Sequence, residues 1–202
     1  MRISGPVLIT GSVSGIGKAT ARRAIACGAD VIIHGIDQAS ADAVCAELGA
    51  AFAVSGDLSD PAIPGMLIDA IIGKFGSIYG IVNNAANTGR SVLDNTTPEL
   101  FDNMMAVNVR APLLLIQAAT PHMAANGGGR VVNIGSVNAW CGERNLLAYS
   151  ISKGALLTLT RNLGDSLGPM GIRVNQINPG WVLTENEIKI KRAEGMPDDW
   201  PQ

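Results

Sequence analysis

Tyr149 and Lys153 stand four positions apart in Tyr149-Ser150-Ile151-Ser152-Lys153, at the start of a helical pattern, so both side chains share one helix face. A tyrosine hydroxyl titrates near pH ~10 and is a poor base at neutrality, but an ammonium beside it favours the phenolate. The pair is therefore a candidate general acid/base. The plain alternative is an amphipathic helix with its tyrosine packed and its lysine in solvent. A second candidate group is Thr10-Gly11-Ser12-Val13-Ser14-Gly15-Ile16-Gly17, which follows an apolar run and opens a helix. Glycines let backbone approach a diphosphate, and a helix N-terminus offers free amides and partial positive charge. The alternative here is an ordinary strand-to-helix turn. A nucleoside-triphosphatase phosphate loop is excluded by residue type: Lys18 follows Gly17, but Ser12 stands where glycine is needed and Ala19 where a magnesium-binding hydroxyl is needed.

The elements that must position these groups alternate. Apolar, β-branched runs at Val7–Thr10, Val31–His34, Ala51–Val54, Ile78–Asn83, Arg130–Ile134 and Val174–Asn178 read as strands. Between them Gly15–Cys27, Ser40–Leu48, Ala62–Phe75, Pro98–His122 and Tyr149–Leu167 read as helices. This order predicts an α/β protein, a doubly wound parallel sheet with helices on both faces. Thr96-Thr97-Pro98-Glu99 suits a capping box, and Gly168-Pro169 stops the last long helix.

Composition narrows the function classes. The 202 residues are 47% hydrophobic and 16% charged, with a net charge of −2, which fits one compact domain and gives no sign of a nucleic-acid partner. The basic pairs Arg22-Arg23 and Lys191-Arg192 read as solvated helix faces. Cys27, Cys45 and Cys141 are odd in number and widely spaced, pointing to a reducing, cytoplasmic setting. The two histidines, His34 and His122, are far from the cysteines, so no metal site is expected, and His34 reads as surface filler, with a place at a strand end near a ligand as the alternative. No signal-peptide core and no apolar run near ~20 residues suggests export or a membrane partner.

Further residues fall in register with the first two groups. Ser136 follows the fifth strand, thirteen residues before Tyr149; Asn108 lies in the long preceding helix; Asn83-Asn84-Ala85-Ala86 ends the fourth strand and Asn178-Pro179-Gly180 the sixth. With the T-G-x-x-x-G-x-G loop, this series resembles the short-chain dehydrogenase/reductase family from about Val7 to Thr184. The resemblance implies a single-domain Rossmann fold that moves hydride between NAD or NADP and an alcohol or carbonyl substrate. It implies Tyr149 as general acid/base, Lys153 lowering its pKa and holding the nicotinamide ribose, and Ser136 polarising the substrate oxygen. Asn108 would anchor a proton-relay water. Gly11, Ser14, Gly15, Ile16, Gly17, Asp37, Asp57, Leu58, Asn84, Ala85, Pro179, Gly180, Val182 and Thr184 would touch the cofactor, with Tyr149 and Lys153. Two apolar helices, at Ala111–Ile116 and Ala155–Leu159, would pair in a homodimer or homotetramer.

Two features depart from the family pattern. The acidic residue that marks NAD-dependent members is Gly35 here, and the cations that mark NADP-dependent members are Ile36 and Ser14. Asp37 tilts the expectation to NAD; a charged His34 or Arg22 would tilt it back. The family's seventh strand is also missing, since nothing after Thr184 reads as a strand, and an uncovered sheet edge is expected. Residues 1–184 are thus expected to form the dinucleotide-binding and catalytic domain and 185–202 a mobile substrate lid. The substrate pocket should draw on Asn138, Trp140, Glu143, Arg144, Asn145, Asn87, Ser91, Trp181 and Glu185, a polar set with two indoles that suits a sugar or polyol. The alternative function is a non-catalytic dinucleotide sensor or regulator on the same fold. A lyase or epimerase would need a second domain that the short chain lacks.

Overall fold

The computed structural model describes residue 3 and residues 5–197. Strands β1 (Pro6–Ile9), β2 (Asp30–Gly35), β3 (Phe52–Ser55), β4 (Gly80–Asn83), β5 (Gly129–Ile134) and β6 (Ile172–Ile177) alternate with helices. These are α1 (Gly15–Ala26), α2 (Gln38–Leu48), α3 (Ile63–Phe75), α4 (Pro98–Met105), α5 (Ala111–Ala125), α6 (Asn138–Cys141), α7 (Leu147–Ser166) and α8 (Glu185–Ala193). All strand pairs are parallel, in the order β3-β2-β1-β4-β5-β6. Leu8, Ile32, Ile81 and Val131 bury one face under α3 and α5; Val7, Ile9, Val31 and Ile33 bury the other under α1 and α2. The expected doubly wound Rossmann architecture is thus present. Chain order reverses between β1 and β4, and that crevice at the carboxyl ends of the strands is where such sheets bind ligands.

Local differences from the expected elements have causes. Thr97, not Thr96, caps α4, accepting from the Leu100 amide at 3.3 Å, so Pro98 takes the first helical position, where no amide donor is missed. Asp37 caps α2 by accepting from the Ser40 amide at 2.8 Å, which starts that helix at Gln38. The single helix expected over Pro98–His122 is interrupted by a π-helical turn, Ala106–Arg110, that carries Asn108; inserted π turns are frequent at functional sites. Residues 185–193 of the expected lid form α8, capped by the Thr184 side chain; residues 198–202 of that segment lie outside the described residues. Among the described residues no helix is long and apolar enough to cross a membrane, and no cluster of candidate metal ligands occurs.

Candidate active site

The glycine loop leaves β1 and enters α1 with backbone packed against backbone. A Cβ on Gly11 would sit 2.9 Å from Ala85 Cα, and one on Gly17 would collide with the Gly11 carbonyl oxygen and the Asn84 amide. Gly15 has φ +53°, in the left-handed region that glycine tolerates, and its bare face lies beside the Thr184 side chain. Ser14 is the N-cap of α1 without a side-chain bond to its amides, and no acid lies in the first turn. Those amides and the uncovered backbone suit an anion. Thr10 Oγ1 accepts from the Asn84 and Ala85 amides at 2.9 and 3.0 Å, and Asn84 Nδ2 donates to the Thr10 and Gly11 carbonyls. Asn84 thereby ties β4 to the loop across the reversal point.

His34 corrects the reading of it as surface filler. It is 2% exposed at the end of β2. Its Nδ1 accepts from the Gly11 amide at 3.1 Å, and its Nε2 lies 3.2 Å from the Gly56 carbonyl, so the ring is the neutral Nε2–H tautomer, joining the glycine loop to the turn after β3. Burial pushes its pKa from 6.5 down to about 4, against a smaller opposite effect of the Gly56 bond. A cationic His34 reaching a phosphate is therefore excluded at neutral pH. A Cβ on Gly35 would sit 2.8 Å from Val13 Cγ1, so Val13 fills the space where an acidic side chain was expected. Ile36 is exposed, Asp37 is used in capping α2, and Asp57 accepts from the Ser59 amide at 2.9 Å. The Leu58 side chain is in the core, leaving only its backbone for any ligand.

The proton-transfer candidates meet beyond β5. Lys153 is 2% exposed, and its Nζ donates to the Ile134 carbonyl at 2.7 Å and lies 5.5 Å from the Tyr149 ring centroid. The amphipathic alternative, with lysine in solvent, thus fails. Burial lowers the Lys153 pKa to about 8. Tyr149 departs from expectation: burial raises its pKa, the Ser136 hydroxyl beside it pulls the other way, and the Glu187 charge adds to the rise. Asn108 is buried; its Oδ1 accepts from the Asn87 amide at 2.7 Å, and its Nδ2 donates to the Asn87 carbonyl and to Ser152 Oγ, both at 2.9 Å. Ser152 Oγ in turn donates to the Tyr149 carbonyl at 2.7 Å, so the π turn braces the first turns of α7.

Ser136 is held by a buried run of amides. Asn83 Nδ2 donates to Asn133 Oδ1 and Asn133 Nδ2 to Thr160 Oγ1, each at 2.8 Å; Thr160 bonds Gln176 Oε1 at 3.0 Å. Gln176 Nε2 donates to Asn178 Oδ1 at 2.7 Å, and that oxygen also accepts from the Ser136 amide. Gly135 is bare because these amides lie over it.

Ser136, Tyr149 and Lys153 line one cavity of about 620 Å³ with Ile16, Asn84, Pro179, Gly180, Val182 and Thr184. Asn138, Glu143, Asn145 and Trp181 line it as expected. Five other pocket expectations are corrected, none of them lining it. Trp140 lies under the Arg161 guanidinium at 5.1 Å, Ser91 is buried beneath the Ala148 amide, and Asn87 is engaged by Asn108. Arg144 lies in the exposed turn before α7, its amide bonded to Glu143, and Glu185 opens α8. Sequence reasoning missed Arg90 and Glu187. Arg90 Nη2 bonds Glu187 Oε1 at 3.3 Å, Arg90 Nε bonds Glu194 Oε1 at 3.0 Å, and Lys191 bonds Glu194 Oε2. Trp181 Nε1 donates to Glu187 Oε1 at 3.0 Å. The spacing of Glu187, Lys191 and Glu194 on one helix face was the available signal.

Residues 6–195 match a family model described as short chain dehydrogenase. The chain is 38% identical over 204 residues to a sorbitol dehydrogenase of Cereibacter sphaeroides, covering 98% of this chain and 80% of that one. A 3-ketoacyl-(acyl-carrier-protein) reductase from Brucella melitensis complexed with NADH superposes with a TM-score of 0.85 at 33% identity, covering 91% of this chain and 78% of that one. A 3-oxoacyl (acyl-carrier-protein) reductase from Agrobacterium tumefaciens with NADP bound gives 0.87 at 30% identity, covering 94% and 76%.

Proposed function

The chain belongs to the short chain dehydrogenase family and is a nicotinamide-dependent oxidoreductase; on that premise we propose that it interconverts a small polyhydroxylated alcohol, a sugar or polyol, and its carbonyl, with Tyr149 as acid/base. The observation that carries this is the convergence of Tyr149, Ser136 and buried Lys153 on one cavity walled by Asn138, Glu143, Asn145 and Trp181. Leaving such groups unpaired beneath an apolar substrate costs ~1–3 kcal/mol each, whereas hydroxyls pair with them. The sorbitol dehydrogenase relative supports the same class.

The residues present fit a dinucleotide. Uncapped α1 amides and the bare faces of Gly11, Gly15 and Gly17 would take the diphosphate, with Ser14 and Ile16 alongside; Gly35–Asp37 and Asp57–Leu58 would flank the adenosine end. Asn84, Pro179, Gly180, Val182 and Thr184, which line the cavity with Tyr149 and Lys153, would flank the nicotinamide end, with Ala85 beside Gly11. When bound there, a nicotinamide would supply or accept the hydride. In reduction the neutral Tyr149 hydroxyl gives its proton to the carbonyl oxygen, and the Ser136 hydroxyl donates a hydrogen bond to the same atom. In oxidation the Tyr149 phenolate, its charge offset by the Lys153 ammonium, takes the proton of the alcohol and becomes the neutral hydroxyl again. Asn108 keeps Tyr149 in place through Ser152. NAD is favoured over NADP, because Val13, Gly35, Ile36 and Ser14 bring no cation to a 2′-phosphate and His34 is neutral. The exposed Leu113 of α5 and Ile151 of α7 support a homodimer or homotetramer, and three unpaired thiols support a cytoplasmic setting.

Tyr149→Phe tests the reading. With sorbitol and NAD, followed by the absorbance of reduced nicotinamide, turnover should fall by ~10²-fold or more while NADH affinity stays within about threefold. Retention of more than about a tenth of the turnover refutes the assignment.

A further inference from the structure

We propose that Glu187 is a specificity-determining residue of the cavity: its carboxylate accepts a hydrogen bond from a substrate hydroxyl beside the reacting carbon. This rests on the polyol reading above.

Glu187 lies in the first turn of α8, where an acid is stabilised by the helix dipole and where its amide bonds Thr184 Oγ1 at 3.2 Å. Its side chain is 18% exposed and points into the same cavity as Tyr149 and Ser136. Two donors from two other segments, Arg90 after β4 and Trp181 after β6, both bond its Oε1. Those bonds orient the carboxylate and leave Oε2 outside the clamp. Glu194 takes the Arg90 Nε and Lys191 bonds from the other side, so the guanidinium is held by two acids and is not Glu187's alone. The Glu187 charge also acts on the Tyr149 hydroxyl. A fixed carboxylate that faces the proton-transfer group accepts from hydroxyls and repels anions. Neutral polyols are then preferred over hydroxy acids of the same length.

Glu187→Gln keeps an oxygen for Arg90 and Trp181, so α8 stays seated. Sorbitol, cyclohexanol and a short 2-hydroxy acid are compared on the wild type and the variant, with NAD. The variant should raise the sorbitol KM about tenfold or more with kcat within about threefold, leave the cyclohexanol KM unchanged, and improve the hydroxy acid. Ultraviolet difference titration of the substrate-free enzyme should show Tyr149 ionising at lower pH in the variant. If sorbitol is a wild-type substrate but its KM ignores the change, or moves together with that of cyclohexanol, Glu187 merely seats the helix and the inference falls. If the wild type turns over cyclohexanol and rejects every polyol, the polyol reading falls first and takes the inference with it; the wild-type measurements alone separate the two failures.

Discussion

Acid should destabilise this protein through His34 in a way that one substitution removes. The ring is buried as the neutral tautomer, with its acceptor nitrogen on the Gly11 amide and its donor nitrogen on the Gly56 carbonyl. Its folded pKa is about 4 against 6.5 for the free side chain. Between those values the unfolded chain binds the proton and the folded one does not, so stability falls as pH drops from 6.5 towards 4 and the loss is complete below both. A pKa unit is worth ~1.4 kcal/mol, which makes the full loss about 3 kcal/mol, a large share of a marginal total of ~5–15 kcal/mol. The loss per pH unit across the window is about 1 kcal/mol. His34→Gln retains an acceptor and a donor but does not titrate. Urea unfolding of both proteins, followed by circular dichroism without cofactor, gives the stability difference at successive pH values. Gln should be the less stable at pH 7.5, where its amide fits the imidazole site poorly, and should gain on the wild type steadily below pH 6.5. A difference that stays flat between pH 7 and 4.5 would refute the account, since the imidazole would then be titrating alike in the folded and unfolded chains.

Two further perturbations test the dinucleotide site. Gly17→Ala puts a methyl group against the Gly11 carbonyl and the Asn84 amide; overpacking of this kind costs ~1–3 kcal/mol, so melting should occur several degrees lower and NADH should bind at least about tenfold more weakly by fluorescence titration, and unchanged binding would show that the loop is not packed as described. Ile36→Arg places a guanidinium on an exposed position at the end of β2; kcat/KM with NADP relative to NAD should rise about tenfold or more, and an unchanged ratio would mean that position 36 does not face the 2′ group.

How much of this was legible in the sequence depends on the range of the interaction. The six parallel strands followed from local hydrophobic patterning, and the shared face of Tyr149 and Lys153 from helical spacing. The burial of Lys153 did not, because what makes it tolerable is the Ile134 carbonyl, nineteen residues away and at the end of another element. His34 was open to reading and was misread. It sits between Ile33 and Gly35 in a strand whose neighbours are apolar on both sides, and in a sheet covered on both faces every position is interior. The same rule that identified the strand implied that its histidine needed partners. The Glu187 clamp was hidden differently: its acids and Lys191 have helical spacing, but Arg90, about a hundred residues earlier, has none with them. The interruption at Asn108 left little periodic mark, because the helix after it, with Ala111, Leu113, Leu114, Leu115 and Ile116, is apolar around much of its circumference and hides a change of phase.

The residues that matter here share a property no motif states: each is held by a polar bond to an element other than its own. Asn178 of the segment after β6 holds Ser136 of the segment after β5, and the β5 carbonyl holds Lys153 of α7. His34 of β2 holds the loop after β1, and Asn108 holds the loop after β4 and, through Ser152, the start of α7. The spacing between these groups is therefore set by sheet register. In a parallel sheet a one-residue slip of β5 against β6 would turn Asn133 from Thr160 and carry Ser136 away from Asn178, breaking the amide run along its length. The apolar core resists that slip because Val131, Ile172 and Val174 would have to leave it together. Precision at the site thus comes from the non-directional term that stabilises the fold, while the hydrogen bonds convert register into direction. On this argument the tyrosine, the lysine and the glycine loop could each be present in an unrelated helix or turn. They are brought to one crevice only where the strand order reverses, because there the ends of β1 and β4 lie side by side with those of β2 and β5 flanking them.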